Sequence, residues 1–163
     1  MTKPIQIKNL TIGSGIPKIC VPLTGTTREK ICQEAEAAKK AAADLVEWRA
    51  DFFQGLLDLD ACQNVLEALA EILGETPLLF TIRTSEEGGN ISISLENYAA
   101  CYINAAKSKK ADLVDVEVMG NTEEKKKLVA ELQKEGVKVI ASSHDFDKTD
   151  SKEVLLNRFR EME

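Results

Sequence analysis

The 163 residues hold one histidine and no Cys-x-x-C pair. Cys20, Cys32, Cys62 and Cys101 stand far apart with no histidine nearby in sequence, a spacing unlike that of a zinc site. They read as reduced, partly buried thiols of a cytoplasmic protein. No G-x-G-x-x-G or G-x-x-x-x-G-K-S/T loop follows the first core strand, which weighs against a dinucleotide or P-loop nucleotide site. Neither a metal nor a cofactor is expected. Basic residues are in deficit, 21 Lys and Arg against 27 Asp and Glu, so the net charge is −6 and no basic stripe offers itself to nucleic acid. An anionic ligand would need a local positive pocket. Apolar runs fall far short of the roughly 20 residues of a membrane span, and Met-Thr-Lys-Pro does not begin a secretion signal. With 44% hydrophobic, 29% charged and only 5% aromatic residues, what remains is a globular chain able to build one sizeable core.

What is present alternates regularly. Ile5, Ile7, Leu10 and Ile12, followed by Gly13-Ser14-Gly15, read as a short hairpin ahead of the main fold. Lys18 to Leu23 is the first core strand, and Thr26 with Glu29 forms a capping box opening a helix to about Ala42. Asp44 to Trp48 is the second strand. Cys62, Val65, Leu66, Leu69, Ile72 and Leu73 then recur at helical spacing until Gly74. Pro77 to Ile82 is the third strand, and Ser94 caps a helix carrying Leu95, Tyr98, Ala99, Tyr102 and Ile103. Leu113 to Val118 is the fourth. Asn121 and Glu124 open a helix with Leu128, Val129 and Leu132 inward, closed by Gly136. A fifth strand from Val137 leads to Ser142-Ser143-His144-Asp145-Phe146, and Asp150 caps a last helix with Val154, Leu155 and Phe159. About five βα units in one domain predict an α/β fold with a parallel sheet, either open or a barrel.

Residues two apart on a strand share a face. Glu47 and Arg49 therefore lie opposite Val46 and Trp48, and Asp115 and Glu117 opposite Val114, Val116 and Val118. Arg83 continues the face of Leu79 and Thr81, and His144 that of Ile140 and Ser142. Each pattern alone has a plain reading: a Glu47–Arg49 salt bridge, a solvated strand end, a histidine in a loop. All of them place polar groups at the C-terminal ends of strands, where an α/β barrel builds its site. Charges on an inward face are costly unless they pair or bind something. Glu86-Glu87-Gly88-Gly89 adds carboxylates on a loop whose glycines permit a tight or mobile lid.

V-E-W-R-A-D at 46–51, T-I-R-T-S-E-E-G-G at 81–89, D-V-E at 115–117 and S-S-H-D-F at 142–146 together resemble the type I 3-dehydroquinate dehydratases. The resemblance runs from the hairpin to the last helix. It implies a partial TIM-type (β/α) barrel and a lyase converting 3-dehydroquinate to 3-dehydroshikimate through a Schiff base between a lysine and the substrate ketone. His144 matches the family's proton-transferring histidine, Glu87 the carboxylate that holds it, and Glu47, Arg49 and Arg83 residues that contact substrate hydroxyls. Pro22 stands where some members carry a substrate-contacting serine.

The family's Schiff-base lysine is expected on a sixth strand, beyond Glu163, together with the Arg, Ser and Gln that bind the substrate carboxylate. Lys148 and Lys152 do not replace that lysine, because they follow His144 too closely. The 163 residues are therefore expected to be inactive alone, with a non-catalytic half-barrel module as the alternative. Five strands leave two open edges. Inward apolar positions assigned to Ile19, Val21, Leu79 and Ile140 are expected to lack cover, favouring a homodimer through those edges.

Overall fold

The computed structural model describes residues 3–120 and 122–162. Strands β1 (Ile5–Ile7) and β2 (Leu10–Ile12) form an antiparallel hairpin, with Lys8 at φ 49° in its turn. Five strands follow in one parallel sheet, ordered as they occur: β3 (Cys20–Leu23), β4 (Leu45–Arg49), β5 (Leu78–Thr81), β6 (Leu113–Glu117) and β7 (Lys138–Ser142). Helices α1 (Arg28–Lys40), α2 (Leu59–Leu73), α3 (Leu95–Ser108) and α4 (Thr122–Lys134) connect them, and α5 (Lys152–Met162) follows β7. Sequential parallel order with a helix after each strand is the arrangement of a (β/α) barrel, here five units of it.

Alternation separates two apolar clusters. Val46, Trp48, Phe80, Val114 and Val116 face the helices and pack with Ile31, Leu66, Leu69, Tyr102 and Leu132. On the inner face Leu45, Leu79 and Leu113, near the strand starts, meet Ile7 and Leu10 of the hairpin, with Ile12 and Ile140 at the margin. Lys8 fastens the hairpin there, its ammonium 2.9 Å from Asp112 Oδ2 and 3.0 Å from the Gly74 carbonyl. The hairpin thus floors the inner face and leaves the polar positions above it open.

Several local expectations shift. The α1 cap is Thr27, whose hydroxyl accepts the Lys30 N–H, because the helix begins at Arg28; Thr26 gives its carbonyl to Gln54 instead. Asp58 caps α2, accepting from the N–H groups of Asp60 and Ala61. Ser151, not Asp150, sits at the start of α5 and accepts the Val154 N–H, while Asp150 pairs with Lys148 and Arg158. Asn121 lies outside the described residues. Val21 faces the helix-side core and Ile19 is 65% exposed, whereas Leu79 and Ile140 lie under the hairpin. The inner apolar face therefore has more cover than alternation alone implied. Helix α5, which follows the edge strand β7, has no buried residue, and its Val154 and Phe159 are exposed.

Candidate active site

Glu47 and Arg49 sit half-buried on the inner face of β4. The chain then turns through one 3-10 turn, Ala50–Phe52, which brings Asp51 back beneath Arg49. The Arg49 Nε and Nη2 donate to the two Asp51 oxygens at 2.8 Å each, a bidentate pair, and the guanidinium lies over the Phe52 ring at 5.1 Å. That hydrogen bond to Asp51 holds the Arg49 pKa above its ordinary value against the opposing effect of burial. The expected Glu47–Arg49 bridge is not formed; Glu47 makes no ion pair among the described residues.

The Arg83 side chain crosses from the end of β5 to β6. Its guanidinium donates to Asp115 Oδ1 at 2.8 Å, Glu117 Oε1 at 3.1 Å and Ser142 Oγ at 3.1 Å. Burial disfavours the charge on Arg83, but Asp115 and Glu117 outweigh it and raise the pKa. Glu117, 1% exposed, also accepts the Thr84 N–H and hydroxyl at 2.8 and 2.7 Å. Asp115 accepts the Ser142 hydroxyl at 2.6 Å. Strand β6 thus ends in two buried carboxylates neutralised from its neighbours rather than in a solvated tip.

Beyond β7, His144 meets Glu87 across 57 residues of sequence: one oxygen, Oε2, accepts the His144 backbone N–H at 2.8 Å and lies 2.9 Å from Nδ1. An ionised carboxylate can only accept, so Nδ1 carries the proton and Nε2 is left to exchange one. The imidazole is 36% exposed, open to a ligand, whereas the Glu87 side chain is 11% exposed. Arg83 Nη1 stands 3.8 Å from the same Glu87 oxygen.

Two glycines let the 84–91 loop fold onto this cluster. A Cβ on Gly89 would lie 1.9 Å from the Arg83 carbonyl oxygen, and one on Gly88 (φ +79°) 2.5 Å from the Phe146 ring. The loop is closed by the Gly89 N–H to the Thr84 carbonyl at 2.7 Å and the Ser85 N–H to the Ile91 carbonyl at 2.8 Å. Asn90 reaches Asp51 Oδ2 through its N–H at 3.3 Å, which ties this loop to the Arg49 pair.

His144, Glu87 and Arg83 therefore stand in one connected cluster. Arg49 joins it through Asp51, whose Oδ1 also accepts the Arg83 N–H at 3.3 Å. Glu47 shares the inner face without a bond to them. Sequence reasoning missed Asp51, Thr84 and Asn90. Asp51 stands two residues after Arg49, but only the turn at Ala50 brings the two together, and strand alternation carries no signal for that turn. Arg49 and Arg83 are committed to carboxylates, so this cluster offers no unopposed positive charge. No three His, Cys, Asp or Glu side chains among them converge as metal ligands, and no helix is long and apolar enough to cross a membrane.

The chain has close relatives in sequence and fold. A 3-dehydroquinate dehydratase of Clostridium botulinum is 42% identical over 162 residues, 99% of this chain and 64% of its own length. One from Listeria innocua is 43% identical over 98% of this chain and 63% of its own. The chain thus spans a little under two thirds of the length of the curated relatives it matches. Among solved structures, the type I 3-dehydroquinate dehydratase of Clostridium difficile, with covalently modified comenic acid, superposes with a TM-score of 0.94 at 39% identity, over 98% of this chain and 63% of that one. The Enterococcus faecalis enzyme gives 0.92 at 41% identity, over 98% and 66%. The sequence pattern of the family described as Type I 3-dehydroquinase matches residues 19–163, and the chain belongs to that family.

Proposed function

We propose that the chain carries the acid–base half of a 3-dehydroquinate dehydratase site. His144 takes and returns the proton next to the substrate ketone, Glu87 fixes its tautomer, and Glu47, Arg49 and Arg83 contact the substrate hydroxyls. The observation that carries this reading is the single Glu87 oxygen shared by the backbone and ring nitrogens of His144. It fixes a histidine with a free Nε2 at the C-terminal end of the sheet, as a general base requires. Arg83 and Arg49 contribute through any donor left free by their carboxylates, with Glu47 beside them as an acceptor that has no ion-pair partner among the described residues.

The Schiff-base lysine and the groups that bind the substrate carboxylate lie outside these 163 residues in this reading. Without an imine the proton is not acidified, and His144 alone cannot drive turnover. The 163-residue protein should produce no dehydroshikimate enone absorbance above background, and borohydride with dehydroquinate should leave its intact mass unchanged. Turnover at the rate of a full-length relative, or a trapped adduct, would overturn that statement. Binding is tested separately. Dehydroquinate should shift the ring resonances of His144 saturably, with affinity weaker than the roughly micromolar level of a tightly held substrate. Unmoved resonances at saturating ligand would reject the site assignment.

A homodimer is the second part of the reading. Both edge strands are open, β7 has no fully buried residue, and Ile16, Ile19, Leu156 and Phe159 are exposed. Pairing through these edges predicts elution at about twice the 17.9 kDa chain mass. A cooperatively folded monomer by light scattering would reject it. Cytoplasmic residence fits the reduced thiols this reading assumes.

A further inference from the structure

The ladder between β5 and β6 ends at the Thr81–Asp115 pair, although β6 continues to pair with β7 through Glu117 and Ser142. In a regular parallel ladder the next rung would join the Ile82 N–H to the Asp115 carbonyl directly. A phenol stands there instead. The Tyr102 hydroxyl accepts the Ile82 N–H at 2.9 Å and donates to the Asp115 carbonyl. One rung further, the Glu117 N–H donates to the Tyr98 hydroxyl at 3.1 Å. Both tyrosines are buried, four residues apart on the same face of α3, with ring centroids 4.6 Å apart. Burial raises both phenol pKa values, so Tyr102 keeps the proton that it donates to the Asp115 carbonyl.

These hydroxyls stand between two strand ends that side chains must then bridge. Arg83 crosses the gap to Asp115 and Glu117, and the Thr84 N–H reaches the Glu117 carboxylate instead of a ladder carbonyl. The competition at Glu87 follows from this. Arg83 Nη1 is only 3.8 Å from the oxygen that holds His144, and a guanidinium released from β6 would pair with it. We propose that Tyr98 and Tyr102 are positioning residues of the site, their hydroxyls holding β5 and β6 apart at the spacing that commits Arg83 to Asp115 and Glu117 and leaves Glu87 to His144. The functional meaning rests on the reading of His144 and Glu87 as the acid–base pair.

The test is nitrogen-detected NMR of the whole chain, where the lone histidine makes the ring signals unambiguous. Wild-type protein should show slowly exchanging Arg83 guanidinium protons and a hydrogen-bonded His144 Nδ1–H. Tyr102→Phe should keep a cooperative melt and lose both signals, while Ile31→Val, in the helix-side core far from the gap, should keep them. Should Tyr102→Phe fail to fold, Tyr98→Phe, which removes only the acceptor for the Glu117 N–H, carries the test with the same criteria. Both signals unchanged in a folded tyrosine variant, or absent from the wild type, would overturn the proposal. None of these signals needs substrate, so a failure of the dehydroquinate titration leaves this result standing, and the reverse also holds.

Discussion

Replacing Arg83 with methionine removes the cation between two buried carboxylates while keeping most of the side-chain volume. The side chains concerned are 8% exposed for Arg83, 10% for Asp115 and 2% for Glu117. Removing one member of such a group destabilises by about 3–5 kcal/mol, chiefly because the remaining charges stay buried without compensation. Local donors moderate this: Glu117 keeps the Thr84 N–H and hydroxyl, and Asp115 keeps the Ser142 hydroxyl. The expected loss is therefore about 3 kcal/mol, near the lower end and a large part of the 5–15 kcal/mol typical of a domain. Urea denaturation at neutral pH measures it through the shift in midpoint at constant slope. A second substitution tells charge from packing. Adding Glu117→Gln to Arg83→Met should restore part of the loss, since one uncompensated charge is removed, whereas Glu117→Gln alone should destabilise. The exposed pair Lys126–Glu123, at 61% and 76% exposure, supplies the control, and Lys126→Ala should change stability by less than about 0.5 kcal/mol. A loss below about 1 kcal/mol for Arg83→Met, or no recovery in the double variant, would refute the claim that this network is an electrostatic unit.

Gly89→Ala should destabilise by about 1–3 kcal/mol and weaken the His144 contact with Glu87, because its Cβ meets the backbone carbonyl of Arg83, which cannot swing aside as a side chain can; an unchanged melting temperature and His144 spectrum would contradict this. The buried thiols set an alkaline limit. Burial pushes Cys62 up to about 12 and Cys101 up to about 11 from an ordinary value of 9.0. The unfolded chain thus releases these protons while the folded one keeps them, so their stabilising contribution is whole below about pH 9 and is lost as pH rises towards about 11–12. Urea midpoints in reducing buffer should fall through that window, and the Cys62→Ala, Cys101→Ala double variant should fall less steeply; equal slopes would show that other groups control the decline.

Much of this was legible in the sequence because strand alternation is local. A period of two suffices to put Glu47 and Arg49, or Asp115 and Glu117, on the face opposite Val46, Trp48, Val114 and Val116. Partner choice is not local. Arg49 pairs with Asp51 and not Glu47 because the chain turns at Ala50, and no periodicity encodes that turn. The α1 cap shows how near-equal options mislead: Thr26 and Thr27 are both capping residues, and Glu29 favoured the box reading, yet the first helical turn starts at Arg28. Hairpin burial likewise depends on where Ile7 and Leu10 land against Leu45, Leu79 and Leu113, which is a tertiary fact.

Tyr98 and Tyr102 mark the limit most clearly. Their spacing identifies them as part of the inward face of α3, and that is where their rings lie. Helical spacing cannot reveal that the polar tips pass through the core and enter the ladder of the sheet. The same holds for the bond between Glu87 and His144, where a loop after the third core strand meets a loop after the fifth. Family resemblance could nominate those two residues, but only the register of β5, β6 and β7 sets their approach. A parallel sheet of sequential βα units stacks successive strand ends along one rim, so residues 57 apart in sequence become neighbours two strands apart. The chemistry of the site is written locally in residue types, while its distances are fixed by this stacking and by the phenols that stand at two successive rungs between β5 and β6.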